Sequence, residues 1–288
     1  MSRLSHPSAP HEGEKKTVVI KIGGSSISGE DKLKAFAKEV SSIIAGGLMP
    51  IVVHGGGSEI SAEMQRRGLP VMKVAGLRVT DGPSLEVAID VLTSINCRIV
   101  CALEEAGVKA TGMMGAEGDT VLCRKMPPAM VKDEHGHQQV VDLGFVGEVV
   151  QVHPARLRTM LRAGIVPVVF PICALEPGVL MNVNADTAAA HIAKALKAEQ
   201  LVLITDVPGL MMEMGNEDTI IPTLRSSDFD YLVRKGIVSG GMIPKVEACR
   251  IAVDGGVKVA HMIDGEGEGM IAAQLLTDVH SGTRMIKG

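Results

Sequence analysis

Residues 17–24 read TVVIKIGG and residues 49–57 read MPIVVHGGG. Each is a β-branched apolar run that ends in consecutive glycines, and each leads into a helical pattern. Apolar runs without polar alternation are strands buried on both faces, as in a parallel sheet. Glycines between strand and helix let backbone N–H groups converge on an anion. Glu30–Ala45 carries Leu33, Phe36, Ala37, Val40 and Ile44 on one side and is stopped by Gly46-Gly47. Strand, helix and strand in this order form a right-handed crossover, so the sheet is expected to be mainly parallel and the class α/β.

The alternation continues along the chain. Helices are expected over Ser58–Arg67, Pro83–Ala106 and Pro154–Ala163, with a buried strand at Val166–Phe170. Ala116–Val150 is poorer in helical signal; Gly118-Asp119 and Asp133-Glu-His-Gly136 separate β-prone stretches, which predicts hairpins on one edge of the sheet. A second block runs through helix Asn184–Leu196, strand Gln200–Thr205, helices Ser227–Lys235 and Met242–Asp254, strand Val257–Met262, helix Gly269–Leu276 and strand Thr283–Ile286. The turn at Pro177-Gly178 marks the boundary. The expected organisation is a tail over 1–16, an N-terminal lobe over 17–176 and a C-terminal lobe over 177–288. No low-complexity linker separates the lobes, so they should share one continuous sheet.

With 288 residues, 46% of them hydrophobic, the chain can bury a sizeable core. A net charge of −4 offers no basic field for nucleic acid, and 2% aromatics offer no platform for base stacking. No apolar run approaches the roughly 20 residues needed to cross a bilayer. Residues 1–16 are polar, contain Pro7 and Pro10, and lack the apolar stretch of a signal peptide; a disordered tail is expected. Five cysteines without framework spacing point to reduced thiols and a cytoplasmic location. Cys97 and Cys101 are four apart, but no further ligands accompany them. They are expected to be buried small hydrophobes, and no protein metal centre is expected.

Four glycine-punctuated stretches carry the polar residues that phosphate chemistry needs: Lys21-Ile-Gly-Gly, His54-Gly-Gly-Gly, Asn182-Val-Asn-Ala-Asp186 and Gly240-Gly-Met-Ile-Pro-Lys245. Two lysines and an aspartate on such loops suggest phosphoryl transfer. Lys21 ends an apolar strand, where a cation is costly to bury without an anion; an exposed strand-end lysine is the alternative. The spacing matches neither GxxxxGK[ST] nor GxGxxG. His54 reads as a hydrogen-bonding structural residue rather than a catalyst. Arg78 suits a substrate carboxylate, or else a surface ion pair with Asp81 or Glu86. Asn184 and Asp186 are explained by helix capping and the helix dipole, whereas Asn182 is not. Asp206-Val-Pro-Gly209 fits a nucleotide-binding turn or a plain Pro-Gly turn. Lys245 lies in the first turn of a helix, where a cation is disfavoured by about 0.3–1 kcal/mol.

Taken in order, these stretches resemble the amino acid kinase family, and within it the branch that acts on N-acetyl-L-glutamate. The likeness spans about Val18 to Ile286. It implies an αβα sandwich on an open, mainly parallel sheet with two lobes, the first binding the amino-acid substrate and the second ATP with Mg²⁺ held mainly by the nucleotide. The implied reaction is attack of the substrate γ-carboxylate on the γ-phosphate, giving an acyl phosphate for arginine biosynthesis. By motif, Lys21 and Lys245 would neutralise the transferring group and Asp186 would orient them. Gly56 and Gly57 would hold the substrate and Gly23 and Gly24 the phosphates. Arg78 would bind the α-carboxylate and Asn182 the amide. Thr205, Asp206, Gly209 and Leu210 would line the nucleotide site. A homodimer built through the first lobe is implied. Arginine-inhibited members carry an N-terminal helix and a C-terminal His and Glu; residues 1–16 lack that pattern, and Gly269 and Gln274 stand at the latter two places. Arginine feedback and a hexamer are therefore not expected. The competing readings are a sister kinase acting on aspartate or on carrier-bound aminoadipate or glutamate, and a nucleotide-binding regulator without turnover. The regulator should have lost Lys21, Asp186 or Lys245, and all three are present.

Overall fold

A computed structural model of the chain describes residues 16–74, 76–132, 137–265, 267 and 269–288. Residues 1–15, where a disordered tail is expected, and residues 133–136 lie outside the described residues. The strands are β1 Thr17–Ile22, β2 Met49–His54, β3 Lys73–Val74, β4 Leu77–Arg78, β5 Ala110–Met114, β6 Val121–Lys125, β7 Ala129–Lys132 and β8 Gln138–Val141. They continue as β9 Val146–Val152, β10 Val166–Phe170, β11 Ile172–Glu176, β12 Val179–Val183, β13 Gln200–Thr205, β14 Thr223–Arg225, β15 Val259–Asp264 and β16 Thr283–Ile286. The helices are α1 Glu30–Ala45, α2 Gly57–Arg66, α3 Gly82–Glu105, α4 Ala155–Arg162, α5 Ala185–Leu196, α6 Phe229–Arg234, α7 Met242–Asp254 and α8 Met270–Leu276.

Eight strands form one sheet in the order β14-β16-β15-β13-β1-β2-β10-β5. Every pair is parallel except β15 with β16. The central strand β1 has β2 on one side and β13 on the other, so the two halves of the chain share the sheet. Strand alternation sorts its side chains into two cores. Val18, Ile20 and Ile22 pack with Leu33, Phe36 and Val40 of α1 and Ile95 and Ile99 of α3. Val19, Ile51, Leu201 and Leu203 face α5 and α7, packing with Ala189, Ile192, Val246 and Ala252. This is the αβα sandwich. It also settles the direction of Lys21: two residues after Val19, it points to the α5 side.

Several expectations are corrected. The β-prone stretches between 116 and 150 do not extend an edge of the main sheet. β6 and β9 join β11 and β12 in a closed four-stranded sheet of their own, and β7 pairs with β8 apart from it. Pro177-Gly178 is the turn of the β11–β12 hairpin, which belongs to that small sheet. Cys97 and Cys101 are exposed, not buried. The buried face of α3 is Leu92, Ile95, Ile99 and Leu103, and the two cysteines project from the opposite side. The strand expected at Val257–Met262 starts later, at Val259, with Val257 buried in the preceding turn.

His54, the last residue of β2, is fully buried. The Asn96 amide lies 3.0 Å from its Nε2 and also donates to the Val168 carbonyl at 2.9 Å. The His54 Nδ1 is 3.1 Å from the Gly55 carbonyl and donates there. The ring is therefore neutral, and burial pushes its pKa down to about 4. His261 of β15 is likewise held at about 4, chiefly by burial. Between about pH 6.5 and 4 the unfolded chain binds protons at these rings that the folded chain refuses. Stability should thus fall as pH drops through that window, by about 2 kcal/mol per histidine between pH 7 and 5. Urea unfolding at both pH values checks this, and a flat profile would rule it out.

Candidate functional site

β1 and β2 both deliver glycines to the carboxyl edge of the sheet, where strand order diverges on either side of β1. That divergence leaves a crevice, the usual ligand position in an open parallel sheet. A cavity of about 210 Å³ lies there, lined by Lys21, Gly23 and Gly24 from the β1 end and Gly55, Gly56 and Gly57 from the β2 end. Asn182 and Asn184 close it from the β12–α5 connection, with Arg78 at the β3–β4 hairpin.

Asp186 lies in the first turn of α5, whose N-cap Asn184 accepts from the Thr187 N–H at 3.0 Å. Its carboxylate is 2.7 Å from Lys21 Nζ and 3.4 Å from Lys245 Nζ. Lys245 comes from the first turn of α7, which packs beside α5. Asp186 and Lys21 are both almost fully buried. Burial alone would raise the Asp186 pKa, but the two ammoniums outweigh it and hold the carboxyl below its usual range. The cluster carries two cations and one anion, a net positive charge; Lys21 and Asp186 line the cavity and Lys245 stands behind Asp186.

Arg78 does not pair with Asp81 or Glu86. Asp81 instead caps α3, accepting from the Ser84 N–H at 2.9 Å. The Arg78 guanidinium is buried against α2, donating to the Gly57 carbonyl and to Ser61 Oγ at 2.7 Å each. It also donates to the Met64 sulfur at 3.2 Å; these partners among the described residues are neutral, and burial lowers its pKa. A ligand carboxylate would supply the missing counter-charge. Asn182 reaches toward Thr80 Oγ1 at 3.4 Å, and the Thr80 hydroxyl donates to the Arg78 carbonyl at 2.9 Å. Gly56 is required sterically: a Cβ there would stand 2.6 Å from Ile95 Cδ1. A Cβ on Gly24 would press on the Glu59 carboxylate.

Thr205, Asp206, Gly209 and Leu210, expected at a nucleotide site, do not line this cavity; they stand at the last residue of β13 and in the turn after it. Thr205 donates its hydroxyl to the Val207 carbonyl at 2.6 Å, and Asp206 is exposed. Gly209 and Leu210 are buried, the Leu210 N–H donating to Thr283 Oγ1 at 2.9 Å. Sequence reasoning missed Lys73 and Gly76, which also line the cavity. A signal existed: Lys73 stands directly opposite Arg78 in the hairpin register, and like charges so placed are unfavourable without an anion between them.

The sequence profile of the amino acid kinase family matches residues 16–264. The chain belongs to the amino acid kinase family. It is 43% identical over 267 residues to an acetylglutamate kinase of Methanothrix thermoacetophila, covering 92% of this chain and 91% of that one. An acetylglutamate kinase of Heliobacterium modesticaldum is 41% identical over 273 residues, covering 94% and 92% of the two chains. Among solved structures, N-acetylglutamate synthase from Neisseria gonorrhoeae superposes with a TM-score of 0.79 at 24% identity, over 95% of this chain. This chain spans 60% of that protein's length, and the likeness shows the fold alone. Family membership accounts for the open sheet and for the glycine ends of β1 and β2.

The Asp186 cluster makes a stability prediction. Asp186→Ala leaves Lys21 buried without an anion and should cost about 3–5 kcal/mol. Urea unfolding reads the loss. The double variant Asp186→Leu with Lys21→Met should recover most of it, since it removes both buried charges.

Proposed function

We propose that this chain is a carboxylate kinase that transfers the γ-phosphoryl group of ATP to the γ-carboxylate of N-acetyl-L-glutamate, forming N-acetyl-L-glutamyl 5-phosphate and ADP for arginine biosynthesis. The observation that carries the reading is the Lys21–Asp186–Lys245 cluster, whose Lys21 and Asp186 line a glycine-lined crevice. The names of the related kinases support the choice of substrate.

The chemistry follows from charge. An ionised carboxylate is already a nucleophile, so the reaction needs no general base. One γ-carboxylate oxygen forms the new bond to phosphorus while the bond from phosphorus to the β–γ bridging oxygen breaks, and its electrons leave with ADP. Catalysis is then positioning plus neutralisation of the phosphoryl oxygens. Lys21 and Lys245 supply the positive charge, and Asp186, bound to both, fixes their separation. Gly23 and Gly24 offer N–H groups to the phosphates, and Gly56 and Gly57 to the substrate. Arg78 takes the α-carboxylate and Asn182 the amide. Thr205, Asp206, Gly209 and Leu210 form one side of the nucleotide site. Asp186 is occupied by two ammoniums, and among the described residues no three potential metal ligands gather. ATP and water would therefore hold Mg²⁺, which neutralises β- and γ-phosphate charge when bound.

In this reading the substrate lobe runs from residue 17 through the β11–β12 hairpin, which carries Asn182, and the ATP lobe follows from α5. The protein works in the cytoplasm as a homodimer built through the first lobe. No helix among the described residues is long and apolar enough to cross a membrane.

Two outcomes are expected. Acyl phosphate trapped with hydroxylamine should form strongly with N-acetyl-L-glutamate and weakly with glutamate, aspartate or aminoadipate. Preference for another acid would move the Arg78–Asn182 pocket to that metabolite. Lys245→Ala should lower kcat at least about a hundredfold with the fold kept, by circular dichroism. Near-normal turnover would remove Lys245 from the mechanism.

A further inference from the structure

Gln274 of α8 is buried, and each polar atom of its amide has a partner. Its Oε1 accepts from the Ser281 N–H at 3.0 Å and from the Ser281 hydroxyl at 3.3 Å. Its Nε2 lies 2.8 Å from His261 Nδ1 and 3.4 Å from His280 Nδ1. A backbone N–H can only donate, so Ser281 decides which end of the amide is oxygen. The NH₂ group then needs a lone pair on each imidazole. His261 provides one, because its Nε2 donates to Gln200 Oε1 at 2.9 Å and leaves Nδ1 free to accept. Burial, with His280 and Arg284 facing the same ring, keeps His261 neutral.

Ser281 opens the segment that walls the turn after β13. Gly282 has φ +67°, and a Cβ there would run into the Met262 and Pro208 carbonyls. Thr283 Oγ1 accepts from the Leu210 N–H, and a Cβ on Gly209 would stand 2.9 Å from that same oxygen. Thr283 is the first residue of β16, so the sheet supports it from one side only. The other support is the chain before it, which begins at Ser281.

We propose that Gln274 is a positioning residue for the nucleotide turn: by anchoring Ser281 it sets where Gly282 and Thr283 stand, and they set the backbone path of Pro208–Leu210. This rests on assigning that turn to the nucleotide site. Gln274 itself touches no reacting group; it acts through three residues of backbone.

The test measures KM for ATP and for N-acetyl-L-glutamate separately in Gln274→Met, Gln274→Glu and Thr283→Val. Gln274→Met removes the acceptor for Ser281 and should raise KM for ATP about fivefold, leaving KM for the acid within about twofold. Gln274→Glu keeps that acceptor and recruits a proton onto His261, so it should restore KM for ATP to near the native value. Thr283→Val should raise KM for ATP, because it strands the Leu210 N–H. If Thr283→Val raises KM for ATP and Gln274→Met does not, the positioning role is overturned while the turn assignment stands. The role is equally overturned if Gln274→Met shifts both KM values alike, or if Gln274→Glu behaves as Gln274→Met does. If no variant moves KM for ATP, the turn lies outside the nucleotide site and both fall. Should Gln274→Met be insoluble, Gln274→Asn, too short to reach Ser281, carries the same expectation.

Discussion

The ion cluster of Lys21, Asp186 and Lys245 is the constraint around which the rest of the molecule is arranged. A buried carboxylate and a buried ammonium are tolerated only together, and here three distant parts of the chain supply them. Lys21 comes from the central strand, Asp186 from the first turn of α5 and Lys245 from the first turn of α7. The 2.7 Å contact between Lys21 and Asp186 requires β1 and α5 to sit in one registration. The second lysine, 3.4 Å away, requires α7 to lie beside α5. Alanines 188, 189, 190 and 193 of α5 permit that close approach, because they are buried and carry no bulk.

Arg78 meets the opposite treatment. Among the described residues its charge is buried with neutral partners, the Gly57 carbonyl, the Ser61 hydroxyl and the Met64 sulfur. One end of the cavity is thus electrostatically saturated but for a single positive charge, and the other end is left wanting an anion. A ligand with two carboxylates, one bound and one reacting, answers both conditions. The protein holds this arrangement open at some cost in stability, as functional sites commonly do.

Much of the fold was legible in the chain. The limits of β1 and α1 follow from where the apolar pattern starts and where glycine ends it, and those of β13 from its apolar run; the structure has all three at the same residues. The missed strands had weaker signals. β5, ATGMM, has little β-branched content, and β14 is three residues long. β11 and β12 flank a turn that read equally well as a lobe boundary. Cys97 and Cys101 were misplaced because cysteine's usual burial was weighed above the phase of α3, whose Leu92, Ile95 and Ile99 already fixed the inward face.

Sequence alone determined the local chemistry. Glycines after strands gave tight strand-to-helix turns, Asn184 capped α5, and the apolar runs gave a parallel sheet, all through interactions within a few residues. What only the tertiary structure decided were the pairings across the chain. Lys21 could have been an exposed strand-end cation, Asp186 a simple dipole partner and Arg78 half of a surface ion pair. Each was settled by burial, since desolvation makes an unpaired charge expensive and leaves only arrangements in which a partner is present or a ligand will bring one. Local sequence does not carry that information, because the partners stand 165 and 59 positions apart for the two lysines of Asp186.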